Sequence, residues 1–251
     1  MLVKSQVKYI QSLGHKKFRD AEGVFVAEGP KIVSELMQSD KVKLVHCFAT
    51  EGWLSENMQY ASSDPAMFVK TDEKQLERIS FHPTPNQVLA VFTKPVFPAS
   101  PIPAGVTLLL DTIQDPGNLG TILRTADWFG VQKIVCSANT TDVFGPKVVQ
   151  SAMGSIVRVE LIYTDLQEYI VAHPDIPLYA TTLDGEDLQG KIHLSKAFLL
   201  IGNESRGVSQ HLERLAVKRF RIPGKGGAES LNAAVATGIF LSQIEVLNQT
   251  R

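Results

Sequence analysis

Three stretches in the second half of the chain carry the residues that could do chemistry. Residues 115–124, 201–207 and 222–232 each place glycines and polar side chains directly after an apolar run. Loops of this composition are typical of the carboxyl ends of buried strands, where α/β proteins build their ligand sites. We therefore expect the three stretches to converge on a single pocket.

Each polar residue in these stretches also has a structural interpretation, and the residues alone leave both interpretations open. Asn118 is a candidate helix cap, and Arg124 is a candidate surface arginine further along the same helix. Glu204 is a candidate ion-pair partner, and Ser230 is a candidate cap for the last helix. Asn232 favours a functional role, because an amide just inside an alanine-rich buried helix needs a partner.

Common nucleotide and metal signatures do not match this sequence. No Gly-x-Gly-x-x-Gly follows the first strand of a dinucleotide unit, and Gly224-Lys225 lacks both the spacing and the following Ser or Thr of a P-loop. The six histidines are scattered, and Cys47 and Cys136 lie far apart in the chain. We therefore expect no metal site.

The elements that must position the three stretches are predicted from the apolar runs. Beyond residue 105, six such runs alternate with helical stretches, which predicts an α/β domain with a largely parallel sheet covered on both faces. The runs are residues 106–110, 133–137, 156–161, 178–181, 197–201 and 219–222. The last helix is expected to begin near Ser230 and to bury a stripe made of Leu231, Ala234, Val235, Gly238 and Ile239.

A smaller α/β domain is predicted at the amino-terminal end. The expected helices are residues 6–13 and 30–38, and the expected strands are residues 24–27, 44–49, 66–70 and 88–92. Residues 94–105 hold four of the thirteen prolines, so this segment cannot continue a helix or a central strand. We therefore divide the chain into a domain of residues 1–95, a proline-rich linker of residues 96–105 and a domain of residues 106–251.

Composition and charge are typical of a folded cytoplasmic protein. The chain has 251 residues, of which 44% are hydrophobic and 20% charged, and its net charge of -1 argues against coating of nucleic acid by bulk charge. Both cysteines lie in apolar runs, which fits a reducing compartment. The amino terminus lacks an apolar signal core, and no apolar run approaches the roughly 20 residues that span a bilayer, so no membrane association is expected.

Basic residues are concentrated at the amino terminus. The first nineteen residues contain Lys4, Lys8, Lys16, Lys17 and Arg19 and no acidic residue. This pattern indicates either a solvated helix face or a surface that contacts phosphates. The charge pattern alone leaves both interpretations open.

Taken in order, the three stretches resemble the three motifs of the SpoU (TrmH-like) family of RNA ribose methyltransferases. The matching residues are Asn118-x-Gly-x-x-x-Arg124, then Gly202-Asn203-Glu204, then Ile222-Pro223 through Ser230-Leu231-Asn232. The similarity runs from Val106 to the carboxyl terminus. The amino-terminal segment, with Lys16-Lys17-Phe18-Arg19 and Glu28-Gly29-Pro30-Lys31, resembles the RNA substrate-binding domain of many members, which is akin to certain ribosomal proteins.

The resemblance implies a SPOUT fold, in which the carboxyl-terminal domain is tied in a trefoil knot, binds S-adenosylmethionine and forms an obligate homodimer. It implies cofactor contacts at Gly202, Ile222 and Leu231, with Thr181 or Thr182 nearby, and RNA contacts at Lys16, Lys17, Arg19 and Lys31. It places Asn118, Arg124, Glu204, Ser230 and Asn232 around the reacting ribose as the catalytic residues. The family's counterpart of Arg124 activates the ribose hydroxyl, and this residue could either stabilise the alkoxide or accept the proton.

The resemblance therefore predicts an enzyme that methylates a ribose 2'-hydroxyl of structured RNA. We expect the substrate to be ribosomal rather than transfer RNA, because a separate amino-terminal domain offers a second surface that can bind RNA. The alternatives are a transfer RNA ribose methyltransferase, a non-catalytic RNA-binding or assembly factor on the same scaffold, and an α/β enzyme that acts on a small nucleotide. Ser205 and Ala233-Ala234 depart from the residues frequent in the family, and neither departure removes a reacting group.

Overall fold

The computed structural model describes residues 2–62, 64–98, 101–188 and 195–249. Its helices are α1 (Lys4–Ser12), α2 (Lys16–Glu22), α3 (Pro30–Met37), α4 (Glu51–Glu56), α5 (Met58–Ala61), α6 (Glu73–Glu77), α7 (Pro116–Trp128), α8 (Pro146–Ala152), α9 (Leu166–Val171), α10 (Gln210–Glu213) and α11 (Ala233–Gln249). Its strands are β1 (Val24–Glu28), β2 (Leu44–Ala49), β3 (Phe68–Lys70), β4 (Val88–Thr93), β5 (Gly105–Leu110), β6 (Lys133–Cys136), β7 (Glu160–Tyr163), β8 (Leu178–Asp187), β9 (Lys196–Ile201) and β10 (Lys218–Arg221). Short 3₁₀ helices occupy Pro65–Met67 and Met153–Val157.

Residue contacts divide the chain into two compact units. The first unit contains Met1–Pro98 and Asp142–Val157, and the second contains Ala99–Thr141 and Arg158–Arg251. The domain boundaries placed at residues 95 and 106 stay a prediction. No sequence signal indicated that Asp142–Val157 groups with the amino-terminal residues.

The first unit is built on a four-stranded sheet with the order β1-β4-β2-β3. Strand β4 is antiparallel to β1 and β2, and β2 is parallel to β3. Three of the four predicted strands are confirmed to within one residue. The predicted strand at residues 66–70 is shorter, because the Asp64 carboxylate accepts a hydrogen bond from the Ala66 amide and starts a 3₁₀ helix there.

The second unit is built on a six-stranded sheet with the order β10-β8-β9-β5-β6-β7. All five strand pairings are parallel, which confirms the predicted parallel sheet. Its core includes Ile170, Phe198 and Leu200, and burial of side chains of this kind contributes about 1.5–3 kcal/mol each. The trefoil knot that the resemblance implies stays a prediction.

One predicted strand of this sheet was misplaced. Residues 156–161 were expected to form it, but Ile156 and Val157 lie in a 3₁₀ helix of the first unit, and β7 begins only at Glu160. The Glu160 carboxylate lies 3.1 Å from the ammonium of Lys133, its register partner on β6. This partly buried ion pair lies at the first residue pair of the β6–β7 pairing. The pattern of apolar runs did not predict it.

The last helix, α11, begins three residues later than expected, at Ala233 rather than near Ser230. It buries Ala234, Phe240 and Leu241 and packs against α7, where Gly238 approaches Thr125. Two residues that were placed in the stripe are exposed: Val235 is 51% exposed, and Leu231 is 46% exposed and precedes the helix. Among the described residues, none of the helices combines the length and apolar character that crossing a bilayer needs.

Candidate functional site

The carboxyl ends of β5 and β9 lie side by side in the second unit. Leu110 at the end of β5 pairs with Ile201 at the end of β9, and the Asp111 amide donates to the Ile201 carbonyl at 2.9 Å. The stretch 115–124 follows β5, and the stretch 202–207 follows β9. Parallel pairing therefore brings two of the three stretches to one edge of the sheet, as the apolar runs predicted.

A continuous line of side chains joins all three stretches. The Asn118 side-chain amide donates to the Glu204 carboxylate at 2.7 Å, and the Asn232 side-chain amide donates to the Asn118 side-chain oxygen at 2.8 Å. We call Asn232, Asn118 and Glu204 the amide–carboxylate chain. It brings together three of the five residues that were predicted to be catalytic.

The caps of two helices explain why the asparagines are available for this chain. Asp115 caps α7 by accepting from the Asn118 backbone amide at 2.9 Å, so the prediction that Asn118 is the cap is wrong. Asn232 precedes α11 and caps it, because its side-chain oxygen accepts from the amides of Ala234 (2.9 Å) and Val235 (3.3 Å). This position also corrects the expectation that Ser230 caps the last helix.

The loop after β9 is held in a tight turn. Asn203 exchanges backbone hydrogen bonds with Gly207 at 2.9 and 3.0 Å, and its side-chain oxygen accepts from the amides of Ser205 and Arg206. Gly202 lies so close to the returning backbone that an added Cβ atom would be 2.2 Å from the Gly207 carbonyl carbon. Only glycine fits this position, because the backbone of residues 207 and 208 fills the space that a side chain would need.

Asp111 is a residue of this site that the sequence analysis missed. Its carboxylate is buried, and it accepts from the Ser209 amide at 2.7 Å and from the Thr112 hydroxyl at 3.0 Å. Thr112 has a φ of 61°, and its carbonyl accepts from the Asn203 side-chain amide at 2.8 Å. The end of β5 therefore fixes both ends of the loop 203–209. An acidic residue directly after the buried run of β5 was the available signal.

We expect the Asp111→Ala substitution to lower the free energy of unfolding by about 2 kcal/mol, because it leaves the partly buried Ser209 amide without its acceptor. Urea unfolding at neutral pH measures this loss. Asp175→Ala, which truncates an exposed aspartate of the same unit, is the matched control and should change stability by less than about 0.5 kcal/mol. Equal effects of the two substitutions would contradict the role of Asp111.

The other two predicted catalytic residues are exposed. Arg124 lies on α7, and no hydrogen bond or ion pair connects its side chain to any residue that the structure describes. Ser230 lies in the exposed loop before α11 and is likewise outside the amide–carboxylate chain. Both side chains are therefore open to a molecule that approaches from outside this chain.

The four positions predicted to contact a cofactor lie on β8 (Thr181), directly after β9 (Gly202), directly after β10 (Ile222) and shortly before α11 (Leu231). The Thr181 hydroxyl donates to the Leu200 carbonyl at 3.0 Å, Ile222 is half-buried, and Leu231 is 46% exposed. The neighbouring Thr182 hydroxyl is buried without a hydrogen-bond partner among the described residues. The unpaired buried hydroxyl of Thr182 and the exposed apolar carbons of Leu231 fit a ligand that has both polar groups and an apolar surface, as S-adenosylmethionine has.

Of the four predicted RNA contacts in the first unit, three are exposed and one is buried. Lys16, Lys17 and Lys31 are open to solvent. Arg19 is 3% exposed, pairs with the Asp142 carboxylate at 2.5 Å and donates to the Leu13 carbonyl at 2.6 Å. Its guanidinium therefore does not reach a phosphate in this structure, contrary to the sequence-based expectation.

Cys47 and Cys136 are buried free thiols. Burial raises the pKa of the Cys47 thiol to about 12, and it raises the pKa of the Cys136 thiol as well. Both thiols stay protonated at neutral pH and pack as small apolar side chains. Within residues 2–62, 64–98, 101–188 and 195–249, no group of three or more His, Cys, Asp and Glu side chains could hold a metal ion.

The parallel sheet and the polar loops joined at its carboxyl edge define an α/β ligand-binding domain. The chain belongs to the SpoU rRNA methylase family, whose model matches residues 105–242. The model of an MRM3-like substrate binding domain matches residues 4–90. These matches confirm the family that was predicted from the three motifs.

Relatives match along almost the whole chain. The 23S rRNA (guanosine(2553)-2'-O)-methyltransferase RlmP of Bacillus subtilis is 31% identical, over 94% of this chain and 94% of the relative. The AdoMet-bound rRNA methyltransferase from Sinorhizobium meliloti is 32% identical with a TM-score of 0.85, covering 98% of this chain and 96% of that one. The SpoU methyltransferase AviRb from Streptomyces viridochromogenes, in complex with AdoMet, has a TM-score of 0.84 at 23% identity and covers 99% and 100% of the two chains, which supports the fold alone.

Proposed function

We propose that this protein transfers a methyl group from S-adenosylmethionine to a ribose 2'-hydroxyl of structured RNA, and that the RNA is ribosomal rather than transfer RNA. The amide–carboxylate chain is the observation that carries the proposal. It ties the three stretches together at the sheet edge where Gly202 and the unpaired Thr182 hydroxyl lie. The Bacillus relative, named for 2'-O-methylation of 23S rRNA, and the AdoMet-bound relative support the substrate and the cofactor.

Bound S-adenosylmethionine supplies an electrophilic methyl group on a sulfonium. The ribose hydroxyl is a poor nucleophile, so the protein must position it and support the negative charge that develops on its oxygen. The loop 202–207 and residues Thr181, Ile222 and Leu231 would hold the donor, and the protein's own groups would position the ribose oxygen beside its methyl group. The amide–carboxylate chain fixes the start of α7 against the donor loop.

Arg124 is the residue that we assign to the ribose oxygen. It lies on α7 six residues beyond Asn118, so the chain that anchors Asn118 also fixes the helix that carries Arg124. A guanidinium keeps its proton in proteins, which favours stabilisation of the developing alkoxide over acceptance of the proton. Its exposed position without an ion-pair partner among the described residues leaves it available to the substrate.

Transfer of a labelled methyl group to ribosomal RNA, with mapping of ribose methylation in total RNA from cells with and without this protein, tests the proposal. We expect one or a few ribosomal positions to lose 2'-O-methylation when the protein is absent. Label on a base nitrogen, or unchanged ribose methylation, would refute the proposed reaction. Binding of S-adenosylmethionine and RNA without transfer would support the non-catalytic RNA-binding factor instead.

We also propose that the active form is a homodimer that works in the cytoplasm. Helices α7 and α11 pack together and expose large apolar side chains, with Trp128 84% exposed on α7 and Val235 and Val246 51% and 60% exposed on α11. A second copy that covers them would remove apolar area from water and would bring a further surface close to Arg124. The two buried free thiols support a reducing compartment.

We expect the Trp128→Glu substitution to convert the dimer to a monomer, because it places a charge at the most exposed apolar side chain of α7. Light scattering coupled to size exclusion measures the mass. Val171→Glu changes an equally apolar residue, 63% exposed on α9, and should leave the mass unchanged. A wild-type protein that already has the monomer mass, or a Trp128→Glu variant that stays dimeric, would contradict this interface.

A further inference from the structure

Phe18 is an exposed aromatic residue among basic side chains in the first unit. It lies on α2 and is 39% exposed. The Lys17 ammonium lies 4.7 Å from the centroid of the Phe18 ring, and the His15 ring lies at 6.3 Å with an interplanar angle of 63°. A cation over an aromatic face is attracted by the negative potential of that face, so the ring already binds a charged group from its own chain.

The helix that carries Phe18 is held firmly in place. Arg19, the next residue, is buried and is bonded to the Leu13 carbonyl and to Asp142. Gly23 ends the helix in the left-handed conformation, with a φ of 66°. Because neighbouring residues on a helix point in different directions, the anchored Arg19 fixes the direction in which Phe18 projects. The ring is therefore presented on a rigid element, as a preformed recognition site requires.

The surroundings of Phe18 favour a nucleic acid over a protein surface. Lys16 and Lys17 precede it and are exposed, Asp20 is paired with Lys94 at 2.5 Å, and Ala21 and Glu22, one turn further along the helix, are exposed as well. A docking site for a protein would need a continuous apolar patch, whereas this ring lies under the ammonium of Lys17 and beside exposed polar residues. An isolated ring beside cations matches an unpaired nucleobase, which offers a flat face for stacking and a phosphate next to it.

We propose that Phe18 is a stacking platform for an unpaired nucleobase of the RNA substrate, with Lys17 as the contact to the adjacent phosphate. The inference rests on the proposed function, because it takes RNA as the ligand. On binding, the base would replace the Lys17 ammonium over the ring, and the flexible lysine side chain would turn to the phosphate. The site would grip a loop or bulge by the faces of its bases and would discriminate against a fully paired duplex.

Fluorescence anisotropy with the full-length protein tests this assignment without any methyl donor. The probes are a short single-stranded oligoribonucleotide and an abasic oligomer of the same length and charge. We expect Phe18→Ala and Phe18→Leu to weaken binding of the base-containing probe about tenfold and to leave the abasic probe unchanged, whereas Phe18→Trp and Phe18→Tyr retain binding. Lys17→Ala should weaken binding of both probes. It should also reduce the slope of log affinity against log salt concentration by about one.

Comparing the two aliphatic substitutions with the two aromatic ones distinguishes stacking from general apolar contact. The proposal would be overturned if Phe18→Leu bound the base-containing probe with wild-type affinity. It would also be overturned if Phe18→Ala lost equal affinity for the base-containing and abasic probes. Thermal unfolding of each variant should stay within a few degrees of the wild type, because the ring is partly exposed. If methyl transfer is absent and the Phe18 effect is present, the proposed reaction fails and the platform stands. If methyl transfer is present and the Phe18 effect is absent, the stacking role of Phe18 is refuted and the proposed reaction stands.

Discussion

The Arg124→Ala variant should lose methyl transfer by at least about a hundredfold while it binds S-adenosylmethionine as tightly as the wild type does. The reason is that Arg124 lies outside the loop 202–207, which we propose binds the donor, and it takes no part in the hydrogen bonds of the amide–carboxylate chain. Its removal therefore changes the charge at the proposed position of the ribose oxygen and leaves the proposed donor site intact. Single-turnover transfer to ribosomal RNA measures the rate, and calorimetry measures donor affinity.

Two further variants make this result specific. Arg124→Lys keeps the charge but loses the planar pair of donors, and we expect it to recover little activity. Arg214→Ala removes an exposed arginine that follows α10 in the same unit and should leave the rate unchanged. Full turnover in Arg124→Ala would remove this residue from the reaction, and a parallel loss in Arg214→Ala would point to general electrostatic attraction of RNA.

The Gly202→Ala variant should abolish binding of S-adenosylmethionine. An added Cβ atom would lie 2.2 Å from the Gly207 carbonyl carbon and 2.3 Å from the Val208 nitrogen, and both are backbone atoms that cannot turn aside. The loop must therefore open, and the backbone surface offered to the donor is lost with it. Calorimetric titration with S-adenosylmethionine measures the effect.

The matched control for this substitution is Gly52→Ala. Gly52 lies on α4, and an added Cβ atom there meets nothing within 4 Å, so the same chemical change should leave donor binding unaltered. Thermal unfolding of Gly202→Ala in the absence of donor separates a local loss from general unfolding. Donor affinity within twofold of the wild type would show that the loop 202–207 is not the donor site.

The parallel sheet of the second unit could be predicted because its strands are buried, and burial leaves a signal in the sequence. The strand at residues 156–161 was misplaced because Ile156 and Val157 are buried as well, in a 3₁₀ helix. An apolar run records burial and does not record which element is buried. The ion pair between Lys133 and Glu160, which accompanies the start of β7, joins two strands that are distant in sequence.

The candidate site was predicted less completely than the sheet. The motifs correctly placed Asn118, Glu204 and Asn232 next to one another. The capping residues of α7 and α11 were assigned wrongly, because several Asp, Asn and Ser residues near each helix start are possible caps. Asp111 was missed because a single acid after a strand is common. Arg19 was grouped with exposed lysines because its partner, Asp142, is 123 residues away in the sequence.

The grouping of Asp142–Val157 with the amino-terminal residues affects how this protein can be cut into pieces. A fragment that stops in the proline-rich segment would keep the Arg19 guanidinium in its interior and would lack the carboxylate that neutralises it. A buried cation without a counterion destabilises a small domain by several kcal/mol. The first unit should therefore be expressed with Asp142–Val157 grafted onto it, and a simple truncation should yield insoluble material.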